Sequence, residues 1–464
     1  MAEGPELAEP ERVVHKGRRH KRRRHRSRGN EGSCGSRSHG SAPGSRHRRG
    51  ASSRRRRRSR NRPRSQDLER SPRSAPRHEH REPRAERHRD GGPPHIEVEI
   101  GAALGEEGRY IVEEVFGDGA SGRVLGCREE PSGKLVAVKV SRPARRQRRH
   151  AETEVATLQK LQRHNRELAE KHVVRLLDTF EHDQDFYCIV MEPLAMSLRG
   201  LLQEGDGGMF LADLRSSAHQ LTNCFAFFQS MGLAHGDLKC TNVMLRRGDY
   251  ELRPHPRLSD PDAMAARPMP WPFEVVVIDF GLANIIEPET SPEAFLFTRE
   301  EAGPKSTRRG GARHIRAPEV ILGLDWGCTA DMWSLGCLLS TLYTGDRLFP
   351  VHEEMEHLAA IEHVTGSSIP KHMAKGVAER IVEKGVSFDD TGRLLWPETS
   401  DEQQARHVEE MATVREFVLD RHHDFLSFLE GLLSIDPASR LTADRAIHHP
   451  FLRKECLTEV DSDE

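Results

Sequence analysis

Apolar residues along the chain fall into three regimes. Residues 1–95 are built from Arg, His, Ser, Gly and Pro, with almost no aromatic or branched aliphatic side chains. Such a segment cannot bury enough apolar surface to offset its ordering entropy, so a disordered arm is expected. From residue 108 apolar residues alternate or cluster between glycines, in "RYIVEEVF", "GRVLGC" and "KLVAVKV". These predict successive antiparallel strands. A charged helix is expected over about 147–163, then strands over 173–180 and 185–191. After a Gly-rich break at 205–208 the period changes. Leu211, Leu214, Ala218, Leu221, Phe225 and Phe228 fall at alternating three- and four-residue spacing, one buried helical stripe. Further helices are expected over 330–345, 354–364, 423–434 and 442–449. The pattern predicts an α+β fold of two lobes, a small antiparallel β-rich N-lobe (108–192) and a larger helical C-lobe (196–452). An acidic tail (453–464) follows.

Charge sharpens this division. The net charge of −1 conceals a basic arm on an acidic body. Residues 1–95 hold 29 of the 71 Lys and Arg and 11 of the 72 Asp and Glu, leaving 42 basic and 61 acidic residues beyond. The arm, with "KGRRHKRRRHRSR" (16–28) and "RRRRRSRNRPR" (54–64), suits a nuclear-import receptor or non-specific RNA contact through phosphates. It lacks the aromatics that stack on bases, so sequence-specific RNA reading is not expected. The body suits positively charged ligands. The eight cysteines are scattered without a C-x-x-C pair, which fits a reducing compartment rather than a disulfide framework. No run of about 18 apolar residues predicts a membrane span.

Four short motifs carry the candidate chemistry. "FGDGASGRV" sets Gly117, Gly119 and Gly122 as G-x-G-x-x-G between two strand patterns rather than before a helix. That context favours a strand-turn-strand loop over nucleotide phosphates and not a dinucleotide fingerprint. Asp118, Ala120 and Ser121 complete the loop, and Val124 and Ala137 are candidates for packing on the base. In "LVAVKV", Lys139 lies mid-strand among apolar residues, where a charge needs a partner. Glu154 on the following helix is the first candidate, Glu152 the second. "HGDLKCTN" spaces Asp237, Lys239 and Asn242 as phosphoryl-transfer enzymes do, to orient a hydroxyl, to neutralise the moving phosphoryl group and to hold a metal ion. "VVVIDFGLA" brings Asp279 to the end of a strand, where a carboxylate suits Mg²⁺.

Together with "RAPEV" (316–320), "DMWSLGC" (331–337) and "DPASRLTADRAIHHPF" (436–451), these stretches resemble a eukaryotic protein kinase. "EHLAAIEHVTG" and "ARHIRAPEVIL" narrow the likeness to the LAMMER, or CDC-like, kinases, whose patterns read E-H-L-A-M-M-E-R and T-R-H-Y-R-A-P-E-V-I-L. The insert 246–280 is similar in length to one in that family. The resemblance implies transfer of the γ-phosphoryl group of ATP to Ser or Thr, extending to Tyr, with Mg²⁺. It implies Arg/Ser-rich splicing proteins as substrates and a nuclear site of action, with a cytoplasmic share. The hinge would be Glu192, Pro193 and Leu194, their backbone meeting adenine, with Met191 guarding the rear pocket. A Glu319–Arg440 ion pair and an Asp331 brace under the catalytic loop are implied as structural parts.

Some positions depart from the kinase pattern. Gly236 replaces an arginine that usually meets a phosphate on the activation segment, and activity independent of that phosphate is expected. Cys240-Thr241 replaces Pro-Glu, removing an acid that meets substrate arginines. Glu204 and Asp206 are candidate replacements. Asp279 to Glu319 spans 41 residues, both included. The competing readings are a kinase of DYRK or SR-protein-kinase type, a pseudokinase scaffold, and a polyanion-binding protein.

Overall fold

The computed structural model describes residues 95–204, 208–248, 250–253, 267–270, 273–285, 296–297, 311–398 and 400–453. All belong to the unit Pro83–Glu464. The arm, the acidic tail and Asp206 lie outside the described residues, as does most of the segment between 286 and 310.

Six antiparallel strands form the N-lobe sheet: β1 (Ala103–Leu104), β2 (Tyr110–Asp118), β3 (Gly122–Glu129), β4 (Lys134–Ser141), β5 (Leu176–His182) and β6 (Phe186–Met191). Their order is β1-β2-β3-β4-β6-β5. The two-residue period of β4 sorts its side chains. Val136, Val138 and Val140 enter one cluster with Ile96, Leu104, Tyr110, Val112 and Leu125. Ala137 and Lys139 point to the other face, into a cleft. Irregularities at Val112/Glu114 and Val115/Gly117 shift the β2–β3 register, and such bulges raise local twist over that cleft.

Helix α1 (Arg145–His164) buries Ala151, Glu154, Val155, Leu158 and Leu161 along one face. A carboxylate in that apolar stripe must find a partner. A short helix, α2 (Arg166–His172), follows, begun by the Asn165 side chain accepting from Leu168 N–H at 3.0 Å. The strand expected from 173 begins only at Leu176. Val173 and Val174 instead pair with Val277 in the C-lobe, Val174 N–H donating to its carbonyl at 3.2 Å.

The C-lobe starts with α3 (Leu198–Glu204) and α4 (Leu211–Gln229). All six residues of the predicted α4 stripe are buried. Strands β7 (Leu233–Ala234) and β8 (Val243–Leu245) follow, then the hairpin β9 (Tyr250–Arg253) with β10 (Arg267–Pro270), which forms the insert. Strand β11 (Val275–Val277) pairs with β8, and β12 (Asn284–Ile285) with β7. Strand β13 (Leu296–Phe297) pairs with β14 (Trp326–Gly327). Helix α5 (Pro318–Leu322) precedes α6 (Cys328–Thr344), whose end is marked by Gly345 at φ 90°. Helix α7 is Glu354–Thr365. The helix expected over 442–449 is shorter, Ala443–Ala446, and a separate helix, Pro450–Arg453, begins beyond it with proline at its first position. Among the described residues no helix is long and apolar enough to cross a membrane.

Two polar devices hold the C-lobe together. Glu319 and Arg440, both fully buried, pair through two contacts of 2.6 and 2.8 Å. Arg440 also donates to the carbonyls of Ser434, Thr329 and Ile435, so its guanidinium is saturated. Asp331 accepts the backbone N–H groups of His235 and Gly236 at 2.7 and 2.9 Å. The E-H-L-A stretch is structural here. Glu356 folds back on the start of α7 as a capping box, and His357 is buried against Phe349. His363, at the place of the family's arginine, contacts the Met411 carbonyl at 2.8 Å.

Candidate active site

A cleft of about 570 Å³ opens between the lobes. Of the residues expected around a nucleotide, Gly117, Asp118, Gly119, Ser121, Gly122, Val124, Ala137, Lys139, Glu154, Met191, Glu192 and Leu194 line it, while Ala120 does not. Met244 and Ile278 also line it, unanticipated. Met244 lies two residues beyond Asn242 on β8, so strand alternation could have indicated it. Ile278 is one residue before Asp279.

The three glycines differ in their local reasons. A Cβ on Gly117 would meet nothing within 4 Å, and one on Gly119 only the Gly122 carbonyl at 3.6 Å. Their bare backbone faces the open cleft. A Cβ on Gly122 would lie 2.1 Å from the Val140 carbonyl oxygen, so there the fold itself demands glycine. Gly119 N–H donates to the Gly122 carbonyl at 2.8 Å, and Asp118 pairs with Arg123 at 2.6 Å, closing the turn.

Lys139 links the lobes. Its Nζ lies 2.7 Å from Glu154 and 3.1 Å from Asp279. Burial pulls the ammonium pKa down, but the two carboxylates more than offset it and hold Lys139 charged. The Lys139 charge holds Asp279 at about 2, aided by His235 and Lys239. Glu154 is thus the partner of Lys139, whereas Glu152 pairs with Arg148 at 3.0 Å, one helical turn away. Asp279 sits at φ 66°, strained for a residue with a side chain. The next residue, Phe280, is fully buried edge-on against His235 and Phe228, which pins that backbone.

The loop 235–242 hangs between β7 and β8. Ile278 N–H donates to the Asn242 carbonyl at 3.0 Å, tying the loop to the strand that delivers Asp279. Within the loop, Asp237 Oδ2 accepts from Lys239 Nζ at 2.6 Å and Asn242 Nδ2 at 3.2 Å. The Asn242 amide nitrogen also donates to the Asp237 carbonyl at 2.9 Å, and its oxygen, which accepts only a long 3.4 Å contact from the Thr241 hydroxyl, is the end that can serve as a ligand. Gly236 has φ 75°, a left-handed backbone that favours glycine. Burial pushes the Cys240 thiol up to about 12, which makes it an inert filler. Arg199 and Arg347 oppose that rise only in part.

The donors suit a divalent ion. Asp279 and Asn242 offer hard oxygens, fitting a small cation that takes its remaining ligands from phosphate and water. Among the described residues no group of three or more His, Cys, Asp or Glu could hold a metal unaided.

Comparison with known proteins places this arrangement. The protein kinase domain model matches residues 110–452. The chain is 33% identical to serine/threonine-protein kinase AFC2 of Arabidopsis thaliana over 79% of its own length and 83% of the relative's. It is 32% identical to dual specificity protein kinase CLK1 of Mus musculus over 74% of its length and 66% of that protein's. A crystal structure of a kinase domain superposes with a TM-score of 0.65 at 30% identity, covering 77% of this chain and 98% of that one. A family of this kind uses ATP, a divalent metal and protein substrates. The chain belongs to the protein kinase family, as a serine/threonine kinase of the LAMMER type.

Proposed function

We propose that this kinase phosphorylates Arg/Ser-rich proteins of the splicing machinery in the nucleus, using Mg²⁺ and ATP, with a secondary capacity for tyrosine. The observation that carries the catalytic part is the pair of linked constellations. Lys139 joins Glu154 to Asp279 across the lobes, and Asp237, Lys239 and Asn242 share one hydrogen-bonded loop. Gly117 and Gly119 let the backbone approach the phosphates, Ala137 and Val124 pack on adenine, and the Glu192–Leu194 backbone meets its edge. The Glu192 side chain is turned away from this task, for Arg246 grips both its oxygens at 2.8 Å.

Asp237 orients the substrate hydroxyl and takes its proton while the hydroxyl oxygen attacks the γ-phosphorus. The bond from that phosphorus to the β–γ bridging oxygen breaks, and ADP leaves. Lys239 lies beside Asp237 to neutralise charge on the moving group. Asn242 and Asp279 would hold Mg²⁺, which when bound screens the phosphate charges.

The substrate class is supported by the acidic balance of residues beyond 95 and by the AFC- and CLK-type relatives. The basic arm supports nuclear import and non-specific RNA contact. Purified chain incubated with Mg²⁺, ATP and a positional peptide library tests the proposal, beside an Asp279→Ala control. Selection for arginine near the acceptor supports it. Selection for proline after the acceptor would move the enzyme to DYRK-type specificity, and equal activity in the control would make it no kinase.

A further inference from the structure

Asp237 is held on both carboxylate oxygens, and one of the bonds is unexpected. Oδ2 accepts from Lys239 and Asn242, while Oδ1 accepts the backbone N–H of Ala312 at 2.9 Å. Ala312 stands where the pattern T-R-H-Y-R-A-P-E begins with threonine. A threonine hydroxyl is a donor, and an alanine methyl is not. The amide reaches Asp237 because the chain comes unusually close. A Cβ on Gly311 would lie 2.7 Å from the Gly236 carbonyl oxygen, 3.1 Å from Asp237 Oδ1 and 3.2 Å from Asp237 Cα. Gly311 also has φ +63°. The loop cannot retreat to make room, since Asp331 holds the N–H groups of His235 and Gly236. From the other side Arg316, 9% exposed, donates to the Gly311 carbonyl at 3.1 Å.

We propose that the Gly311–Ala312 peptide is a positioning group for Asp237, its amide standing in for an absent hydroxyl and glycine at 311 giving the approach that this substitution requires. The two residues are matched. Alanine alone would leave Oδ1 without its donor, and glycine alone would serve no purpose. A carboxylate has about four acceptor sites, so three donors still leave one for the substrate hydroxyl. The proposal rests on the reading that Asp237 takes the proton of that hydroxyl.

Full-length variants test it, with the unmodified chain assayed first. Ala312 has φ −66°, the angle proline imposes, so Ala312→Pro keeps that angle while it removes the donor and sets the ring Cδ where the N–H stood, pushing Asp237 Oδ1 away. A displaced aspartate is expected to lower kcat about tenfold to a hundredfold. KM for ATP holds steady, because residues 311 and 312 do not line the nucleotide cleft. Gly311→Ser drives the backbone off Asp237 and lowers kcat likewise. Adding Ala312→Thr to Gly311→Ser supplies a hydroxyl across the widened gap and restores most of the lost kcat. This pair decides the matter should the proline variant not fold. An unchanged or raised kcat in Ala312→Pro overturns the proposal, a rise meaning that the peptide obstructs the acceptor position. Equal impairment of Gly311→Ser and the double variant overturns it too. An unmodified chain that transfers no phosphate would instead overturn the kinase mechanism beneath it.

Discussion

Replacing each glycine of the nucleotide loop by alanine should separate two roles that the motif merges. At Gly122 the added methyl lies 2.1 Å from the Val140 oxygen, 2.9 Å from its carbonyl carbon and 3.1 Å from Ser141 Cα. These are backbone atoms of the neighbouring strand, and Gly122 pairs directly with Ser141. No rotamer relieves the overlap, so β3 and β4 must part there by roughly 1 Å, an overpacking worth about 1–3 kcal/mol. The separation also strains the Arg142 N–H to Ser121 carbonyl bond of 3.2 Å. Gly122→Ala should therefore lower the melting temperature and weaken ATP binding together. Gly117→Ala and Gly119→Ala meet open space or a single 3.6 Å contact, so they should leave melting unchanged. Their KM for ATP should still rise, because the methyl stands where phosphates approach. Thermal unfolding without nucleotide, beside ATP kinetics, reads both effects. Equal melting of Gly122→Ala and wild type would refute the steric account. Unchanged KM in both other variants would refute phosphate approach over this loop.

Three further outcomes follow from the described geometry. Gly236→Arg places a side chain at φ 75°, a strain of about 1–3 kcal/mol, and should lower stability without making activity depend on activation-segment phosphate; phosphatase treatment of variant and wild type checks this. Arg440→Lys should destabilise by about 3–5 kcal/mol in denaturant titration, since lysine cannot serve Glu319 and the three carbonyls that Arg440 saturates. His357, whose pKa burial lowers to about 3, stays neutral when folded but takes a proton near its ordinary value when unfolded. The unfolded chain then binds more protons between about pH 6.5 and 3, so stability falls on acidification through that window by about 1.4 kcal/mol per pH unit. The difference curve against His357→Phe should show that slope, and a flat difference would refute it.

Much of this was legible in the sequence because the informative distances along the chain are short. Asp237, Lys239 and Asn242 share one loop, and the α4 stripe declares itself through its period. The preference for Glu154 over Glu152 needed only the buried face of α1. Other features depend on which distant backbone comes near, and no local pattern carries that. Val173 and Val174 read as strand residues, yet Val277 takes their pairing. Gly122 looks like its two companions until Val140 is beside it. Gly236 looked like the loss of an arginine, but its left-handed φ makes glycine the comfortable residue. No local pattern singles out Ala312, whose amide meets Asp237 only because residues 75 positions apart are folded together.

The segment ahead of the first long strand sets where the catalytic unit begins. The family match starts at 110, yet Ile96 and Leu104 are buried in the N-lobe cluster. Arg123, which clasps Asp118 in the glycine loop, also donates to the Ile96 carbonyl at 2.8 Å. Arg142 reaches both His95 at 2.8 Å and the Gly119 carbonyl at 3.5 Å. A fragment cut at the family boundary would thus lose core packing and one anchor of each of the two arginines at the loop tip. Trimming for expression should stop before His95, and a shorter fragment would report a weakened ATP affinity that the intact enzyme does not have.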